Sequence, residues 1–455
     1  MSIGVPGNNR AEHEPWDAQR YTRLQTYWAF QAYTYFDGDK TYREQQKEAF
    51  LSGQSTHPML DYPQIDRDDL ATKKRELQRL HNDIEQRETN QTVRDAYIPK
   101  IQEKINEIQL IYATDQQDME KFLHYTTTIY GTPRHDVFAY TLWVIQQKAQ
   151  DAIDQADTQI SAAGERLLEL LPNSKNAGNL PTIPSPTTLQ QIRQITTQQV
   201  EELLWNQPPH DAHYLYRAEY IAHKFKKAME NINAEGWKVT IDTKTSADTI
   251  RVSHATKEAT IPASRAVPRD KLQGLIAHEI GTHIERGAQG EKSKLQILSL
   301  WLHNYERGEE GIATLREKII TKPQQIEIAG EDRHFAISLA IWVDGVMRTI
   351  REVYTIMEAY YYLEELQQKP HLDHTQAQKN AIEEARKCII RIYRGTDCAT
   401  PWVCFTKDII YREGNLDLLA LVANQPDILH HVNTGKFDPT NPQHIAIMQQ
   451  LGLFP

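Results

Sequence analysis

The feature that most constrains this chain is the hexapeptide HEIGTH, which begins at His278 and ends at His283. Two consecutive glutamates, Glu309 and Glu310, follow on a segment whose pattern predicts a second helix. Neutral imidazoles and a carboxylate suit Zn²⁺, and a catalytic zinc takes three protein ligands and leaves a fourth position for water. The sequence therefore predicts a zinc site with His278, His283 and Glu310 as ligands. Glu279 is predicted to act as general base on the metal-activated water in the hydrolysis of a peptide or amide bond.

The spacing of the two histidines is unusual for a zinc-binding helix. In a regular α-helix, residues i and i+4 lie about 40° apart around the axis, whereas i and i+5 lie about 140° apart. A one-residue π-bulge would restore the alignment, and such bulges occur mostly at functional sites. Gly281 lies inside the interval and could permit the bulge. Since HExxxH should occur by chance in a chain of this length on the order of one time in twenty, the prediction depends on its context.

The segments around HEIGTH favour a helix that follows a small sheet. Two short β-strands are predicted from alternating apolar and polar residues with β-branched side chains: residues 237–242 and 249–253. We expect the HEIGTH helix to be about five turns long. Ser264 and Pro268 are suitable for its start, because polar caps and early prolines favour helix N-termini. Gly287 and Gly290 are suitable for its end.

The remainder of the chain is predicted to be mainly helical. Segments with apolar residues at helical spacing are residues 66–109 (as antiparallel helices), 118–124, 137–170, 188–204, 336–347 and 351–366. Residues 171–187 are rich in turn-forming residues and are predicted to be a loop or linker. They separate an N-terminal helical region, residues 1–170, from a catalytic region, residues 188–455. The expected fold class is α+β and predominantly α-helical, similar to zincin metallopeptidases, with a small β-sheet beside the HExxxH helix.

Composition and charge exclude several classes of protein. The chain has 455 residues and a formal net charge of -10, which argues against a general nucleic-acid binder. No apolar segment approaches the length of a membrane span, and the N-terminus lacks the apolar region of a signal peptide. Cys388, Cys398 and Cys404 form an odd set typical of a reducing compartment. We therefore expect a cytoplasmic protein that binds neither nucleic acid nor membrane; the oligomeric state stays open.

One local group of basic residues lies just before HEIGTH. Its members are Arg251, Lys257, Arg265, Arg269 and Lys271. They either draw an acidic peptide tail towards the metal or are ordinary solvated charges.

Several motifs in a fixed order resemble a known family. They are HEIGTH, EEGIA at residues 309–313, REVY at 351–354, Arg394-Gly395, FTKD at 405–408, Tyr411 and Gly414. This set is similar to the family that includes the microtubule-associated tyrosine carboxypeptidase and bacterial proteins with a QEGLA motif. The resemblance implies that His278, His283 and Glu310 are zinc ligands and that Glu279 is the catalytic glutamate. Because the glutamate beside the glycine is the one retained in QEGLA, Glu310 is preferred over Glu309.

The chain also departs from the family pattern. Ile312 replaces the leucine of QEGLA, which leaves the proposed ligand untouched. Val403 and Cys404 stand where a glycine pair is expected before FTKD, which puts the shape of that loop and the substrate preference in question.

A carboxypeptidase also needs a fixed cation or donor for the substrate's free C-terminal carboxylate. Arg394, Lys407 and Tyr411 are the candidates, because they lie in the family-like motifs. Tyr411 could instead stabilise the oxyanion of the tetrahedral intermediate. Alternatively, Lys407 could pair with Asp408, and Arg394 could have a purely structural role.

The sequence favours a zinc-dependent carboxypeptidase that acts on the C-terminal tail of a peptide or protein. Two alternatives stay open. An endopeptidase or aminopeptidase could use the same metal site, or the chain could be a regulatory binding protein without catalysis. The intact Glu279 favours an enzyme, because a binding protein has no need of the base.

Overall fold

A computed structural model describes residues 16–25, 40–173, 181–203, 214–243, 250–254, 256–322, 328–369 and 371–454. The helices are α1 (Ala18–Gln25), α2 (Lys40–Leu51), α3 (Arg67–Arg87), α4 (Gln91–Gln116), α5 (Met119–Tyr130), α6 (His135–Ile153), α7 (Thr158–Leu170), α8 (Pro186–Val200), α9 (Ala218–Asn231), α10 (Arg269–Leu275), α11 (Glu285–Glu291), α12 (Ile297–Leu300), α13 (Glu306–Thr321), α14 (Glu331–Ala340), α15 (Ile350–Gln368), α16 (His374–Tyr393), α17 (Ile409–Asn424) and α18 (Pro442–Gln450). The strands are β1 (Tyr216–Arg217), β2 (Lys238–Asp242), β3 (Arg251–Ser253), β4 (Glu258–Pro262) and β5 (Ala266–Val267). The predicted class, α+β and predominantly helical, is confirmed.

The small sheet lies directly before the HEIGTH helix in the chain. It has the order β2-β4-β3, with β2 parallel to β4 and β3 antiparallel to β4. The strands predicted at residues 237–242 and 249–253 correspond to β2 and β3; Thr249 lies outside the described residues. The central strand β4 was missed, although its buried residues Ala259 and Ile261 alternate as a strand requires.

HEIGTH lies in one unbroken helix formed by α10, a π-helical segment (Ile276–Ile284) and α11. The predicted start at Ser264 is wrong, because the helix begins after Pro268, which provides no side-chain cap. The predicted end at Gly287 and Gly290 is close: the helix continues to Glu291, one residue beyond Gly290, and Gly287 lies inside it. Gly290 serves close packing instead: a Cβ there would lie 2.3 Å from the carbonyl of Leu298.

The predicted helical pair at residues 66–109 is confirmed as α3 and α4, joined by residues 88–90. Two other predictions need correction. Residues 137–170 form two helices, α6 and α7, because the side chain of Asp157 caps α7 by accepting from the backbone amide of Gln159 at 2.8 Å. The helix predicted at 336–347 ends at Ala340, and Trp342 takes a left-handed φ of 57°.

The apolar cores join segments from the two predicted regions. Side chains of α6 and α7 pack with those of α14, α15 and α16. Side chains of α3, α4 and α5 pack with the segment around α12 and with Phe405 and Phe437. The division at residues 171–187 stays a prediction; its residues 174–180 lie outside the described chain. Cys388, Cys398 and Cys404 are buried free thiols. No described helix combines the length and apolar character needed to cross a membrane.

Two glycines allow α13 and α17 to cross at backbone contact. A Cβ on Gly311 would lie 2.8 Å from the carbonyl oxygen of Gly414, and a Cβ on Gly414 would lie 2.2 Å from the carbonyl oxygen of Arg307. Tyr411 lies one turn before Gly414 on the same face of α17, and Glu310 precedes Gly311 on α13. The crossing therefore brings the EEGIA motif and Tyr411 together.

We expect Gly414→Ala to lower the free energy of unfolding by about 1–3 kcal/mol, because the new methyl group overlaps the carbonyl of Arg307. Urea denaturation followed by circular dichroism measures this change. Asn424→Ala, at an exposed position on the same helix, is the matched control and should change stability little. Equal stability of the two variants would contradict the close helix crossing.

Candidate active site

The π-helical segment explains how two histidines that are five residues apart can lie on the same side of one helix. It spans Ile276–Ile284, so the predicted local bulge is found as a longer run of π geometry. In this geometry hydrogen bonds connect residues five apart, and the hydroxyl of Thr282 likewise donates to the carbonyl of Ala277 at 3.0 Å. The rings of His278 and His283 consequently lie on one side of the helix, with centroids 5.0 Å apart.

A buried arginine on α13 stabilises this segment. Arg316 donates to the carbonyl of Gly281 and lies 3.3 Å from the hydroxyl of Thr282. Its other terminal nitrogen donates to the side-chain oxygens of Gln199 and Asn433, each at 2.8 Å. Because a buried carbonyl without a partner costs free energy, the guanidinium helps to fix the π register.

Gly281 has a packing role at this point. A Cβ there would lie 2.9 Å from the side chain of Leu203 and 3.3 Å from that of Val200. The sequence suggested that Gly281 permits the bulge through its flexibility. In the structure, it provides the space for α8 and the short turn that follows it.

His278, His283 and Glu310 come together as the sequence predicted. One ligand atom from each lies within 4.8 Å of the others. Nε2 of His278 is 3.9 Å from Oε2 of Glu310, a separation that one ion bound at about 2 Å from each atom can bridge. Each of the three side chains is 14 to 19% exposed, so the group is accessible from solvent while most of its surface is covered.

Each histidine is bonded through its other ring nitrogen to a carboxylate. Nδ1 of His278 lies 3.0 Å from Glu317, and Nδ1 of His283 lies 2.9 Å from Glu309. An ionised carboxylate can only accept, so the proton lies on Nδ1 and the Nε2 lone pair is available to a cation. The sequence analysis did not predict that Glu317 and Glu309 orient the two histidines. A signal existed for Glu317, which follows Glu310 by seven residues and so lies two turns further along the same helix face.

Glu309 is held ionised inside the protein. It is 1% exposed and is contacted by the guanidinium of Arg286 and by Nζ of Lys436 at 3.3 Å. Burial raises the pKa of Glu309, but the charges of Arg286 and Lys436 and the bond to His283 outweigh burial and hold this pKa well below its usual range. The negative charge that orients His283 is therefore permanent at neutral pH.

The environment of His278 is also dominated by carboxylates. Burial raises the pKa of Glu317, but the bond from His278 and the ammonium of Lys271 outweigh it and lower this pKa to about 2. Burial lowers the pKa of His278, but the bond to Glu317 and two further carboxylates outweigh it and raise this pKa to about 9. Those two are Glu279 and Glu310. A divalent cation would replace the proton that this negative site otherwise binds.

Glu279 occupies the position that the sequence assigned to a general base. It is half-buried and neighbours His278 on the helix. Its charge acts on both His278 and Glu310 by raising the pKa of each. A carboxylate at this place can exchange a proton with a water at the three-residue group.

The basic group before HEIGTH is largely paired with carboxylates of the protein. Lys271 bonds to Glu317, as described above. Lys257 lies 2.8 Å from Glu291. Arg251 lies 2.7 Å from Asp242. These pairs favour the structural interpretation over recruitment of an acidic tail.

The three predicted substrate residues lie in two different surroundings. Lys407 donates to Glu306 at 2.7 Å, where it lines a cavity of about 1560 Å³. Arg394 stacks over the ring of Phe405 at 4.7 Å and lies 4.0 Å from Asp408. The alternative pairing of Lys407 with Asp408 is wrong, because Arg391 occupies that carboxylate.

Of the three predicted substrate-binding residues, Tyr411 lies beside the proposed metal ligands. The charge of Glu310, together with burial, raises the pKa of Tyr411 well above its ordinary value. Its hydroxyl group therefore stays protonated and can donate a hydrogen bond. The roles of Arg394, Lys407 and Tyr411 in substrate binding stay predictions.

We expect Arg316→Met to lower the free energy of unfolding by about 3 kcal/mol, because it leaves the buried carbonyl of Gly281 without its donor. Chemical denaturation measures the change. Lys318→Met, at a half-buried position on the same helix, is the control and should have a much smaller effect. A stability equal to that of the parent would show that Arg316 does not maintain the π-helical segment.

Comparison with known proteins identifies the family to which this chain belongs. Residues 181–454, more than half of the chain, match the sequence profile of the family described as microtubule-associated tyrosine carboxypeptidase. The match contains HEIGTH, EEGIA and FTKD. No curated protein sequence gave a significant match. The chain thus belongs to the microtubule-associated tyrosine carboxypeptidase family and is a carboxypeptidase-like hydrolase.

Proposed function

We propose that this protein is a zinc-dependent carboxypeptidase that removes the C-terminal residue from peptide or protein tails. The observation that carries the proposal is the convergence of His278, His283 and Glu310. Both histidines have Nδ1 bonded to a carboxylate, which directs Nε2 to a common point. Glu279 and Tyr411 lie beside that point.

The donor set fits Zn²⁺. Two neutral imidazole nitrogens and one carboxylate oxygen are typical of catalytic zinc sites that keep one position open. When bound, zinc would act as a Lewis acid on the scissile carbonyl and lower the pKa of a water. His278, His283 and Glu310 would hold it, while Glu309 and Glu317 keep the two imidazoles in the required tautomer.

The protein's own groups then account for the proton transfers. Glu279 takes a proton from the attacking water and delivers it to the leaving amine, which departs more easily when protonated. The hydroxyl of Tyr411 donates a hydrogen bond to the carbonyl oxygen of the substrate as negative charge develops there. Because the hydroxyl is partly shielded from water, this bond is stronger than it would be in solution.

The family description suggests which substrate to test first. It names tyrosine as the residue released by the family's namesake, so peptides that end in tyrosine are the first choice for this chain. We propose a cytoplasmic location, in which the three buried thiols stay reduced.

We expect Glu279→Gln to bind zinc like the parent and to lose activity by at least about a hundredfold, because it removes the general base. Mass spectrometry of peptides with free and amidated C-termini, incubated with the zinc-loaded protein, measures the release of terminal residues. Glu291→Gln, at the end of the same helix, is the control and should keep activity.

The same experiment separates the alternatives. Loss of the terminal residue from free-acid peptides alone supports the carboxypeptidase. Internal cleavage of both sets would favour an endopeptidase. No cleavage by a protein that binds zinc would favour a regulatory binding protein, and full activity of Glu279→Gln would contradict the proposed mechanism.

We expect the apparent affinity for zinc to rise with pH until about pH 9, where it levels off. The raised pKa of His278 means that this group stabilises the metal-free fold fully below about pH 6.5 and loses that contribution as pH rises through about 9. Zinc must displace this proton at lower pH, so the affinity should rise about tenfold for each pH unit. Competition titration with a coloured chelator measures the affinity.

Glu317→Gln is the comparison for this pH dependence. It keeps a hydrogen-bonding side chain but removes the charge that raises the pKa of His278, so the affinity should level off at a lower pH. An affinity that does not change with pH in either protein would contradict the assignment of His278 as a ligand.

A further inference from the structure

Three arginines from two helices and a loop surround a single buried carboxylate close to the proposed metal site. Asp408, 2% exposed, accepts from Nε of Arg391 and, at 3.2 Å, from its terminal nitrogen. Nε of Arg333 lies 3.9 Å from Asp408, and a terminal nitrogen of Arg394 lies 4.0 Å from it. Arg333 and Arg391 carry two positive charges, of which Asp408 balances one, so an excess of one positive charge remains.

Further carboxylates do not neutralise this excess at short range. In the part of the chain that the structure describes, Asp408 is the one carboxylate within 4.0 Å of Arg333 or Arg391. Asp332, the residue before Arg333, accepts instead from the hydroxyl of Tyr361. The arginine group therefore has charge available for an external anion.

Tyr411 connects this group to the proposed zinc ligands. The guanidinium of Arg333 lies 5.9 Å from the centre of the Tyr411 ring, and Arg391 interacts electrostatically with Tyr411. The crossing of α13 and α17 places Tyr411 beside Glu310. Tyr411 is thus a neighbour of both the arginines and the proposed ligand Glu310.

Two of the arginines are partly exposed beside the buried carboxylate of Asp408. The side chains of Arg333 and Arg391 are 33% and 36% exposed; Asp408 is hydrogen-bonded to Arg391 and lies 3.9 Å from Nε of Arg333. Arg394, at 19%, is more covered and stacks on Phe405. Because Asp408 already orients the planar guanidinium of Arg391, its remaining donors can bind a carboxylate with little further loss of side-chain entropy.

We propose that Arg333 and Arg391 bind the α-carboxylate of the substrate's C-terminal residue. The inference rests on the proposed function and adds two residues that the sequence did not single out. Successive Cα atoms are about 3.8 Å apart, so the terminal carboxylate lies only a few ångströms from the last peptide bond. The cation that binds this carboxylate must therefore lie close to the groups that act on that bond. The position next to Tyr411 meets this requirement and would restrict the enzyme to chain ends.

The first test measures binding without turnover. The full-length Glu279→Gln protein, loaded with zinc, is titrated with a fluorescein-labelled peptide that ends in tyrosine, as the free acid and as the amide. We expect the free acid to bind more tightly. Arg333→Met in this background should weaken binding of the acid by about 10- to 100-fold and leave binding of the amide unchanged, as expected for loss of charge-assisted hydrogen bonds.

Two further variants keep this test interpretable. Arg386→Met is the matched control, because Arg386 lies on α16 like Arg391 but pairs with Glu383, and it should not change binding of either peptide. Arg391 makes the closest bonds to the buried Asp408, so its removal would leave that carboxylate poorly paired. Arg391→Lys keeps the charge and should weaken binding of the acid while the protein stays folded, as checked by its thermal midpoint.

The second test measures turnover with the active protein. Arg333→Met should raise KM for the free-acid peptide by about 10- to 100-fold, with a smaller change in kcat. If Arg333→Met has the parent's affinity and KM for the free acid, or if the parent binds acid and amide equally, the proposed carboxylate site is wrong.

The two proposals fail in distinguishable ways. If the parent releases terminal residues but Arg333→Met keeps the same KM, the carboxypeptidase stands and the arginine site does not. If binding shows the preference for the free acid and its loss in Arg333→Met, while the zinc-loaded parent cleaves no peptide, the arginine site stands and the proposed catalysis does not.

Discussion

The packing of α13 against the π-helical segment is the contact on which the whole site depends. This one helix provides two adjacent pairs of functional residues, Glu309 with Glu310 and Arg316 with Glu317. The pairs are seven residues apart, so they lie two turns from each other on one face. Glu310 and Glu317 both lie beside His278, while Glu309 bonds to His283 and Arg316 to the carbonyl of Gly281. The HEIGTH helix must therefore hold a fixed register against α13. A shift of either helix by one residue would separate all four groups from their partners.

The charges at this interface explain why the register is specific. Glu309 is buried with Arg286 and Lys436, and burying such a group costs free energy unless its geometry is well satisfied. The arrangement adds little net stability, but any alternative packing would leave a charge without a partner. Arg316 has the same effect, because its donors match the carbonyl exposed by the π segment. Buried polar groups thus select one helix register here, and that register presents the imidazoles in a single tautomer.

The segment that precedes the family match also supports the site. Thr126 on α5 lies 3.1 Å from Thr406 of the FTKD motif, and the ring of Tyr130 packs edge-on against Phe405 at 5.3 Å. These contacts hold the start of α17, and with it the orientation of Tyr411. The family match begins at residue 181, so part of the support for the active-site geometry comes from residues outside the match.

Sequence alone was sufficient for the features that depend on local spacing. The HEIGTH and EEGIA motifs indicated the three residues that converge, and the interval between the histidines required a π-type distortion that a regular helix could not provide. Periodicity also predicted most helices and two of the three strands in the main sheet. Periodicity did not reveal short breaks between helices, such as residues 154–157, where Asp157 caps the start of a new helix. Sequence also could not show that Gly287 and Gly290 pack closely against other segments of the chain.

Only the tertiary structure decided which residues surround that site. Glu309 and Glu310 are adjacent in sequence and chemically equivalent, yet helix packing directs one to the ligand group and the other to a histidine's Nδ1 and two cations. Arg333, Arg391 and Asp408 come from segments far apart in the chain, and no periodic pattern relates them. The physical reason is that spacing along a helix is set by local backbone geometry. Contacts between helices depend instead on close packing, such as that of Gly311 on Gly414, and on the pairing of buried charges across the core.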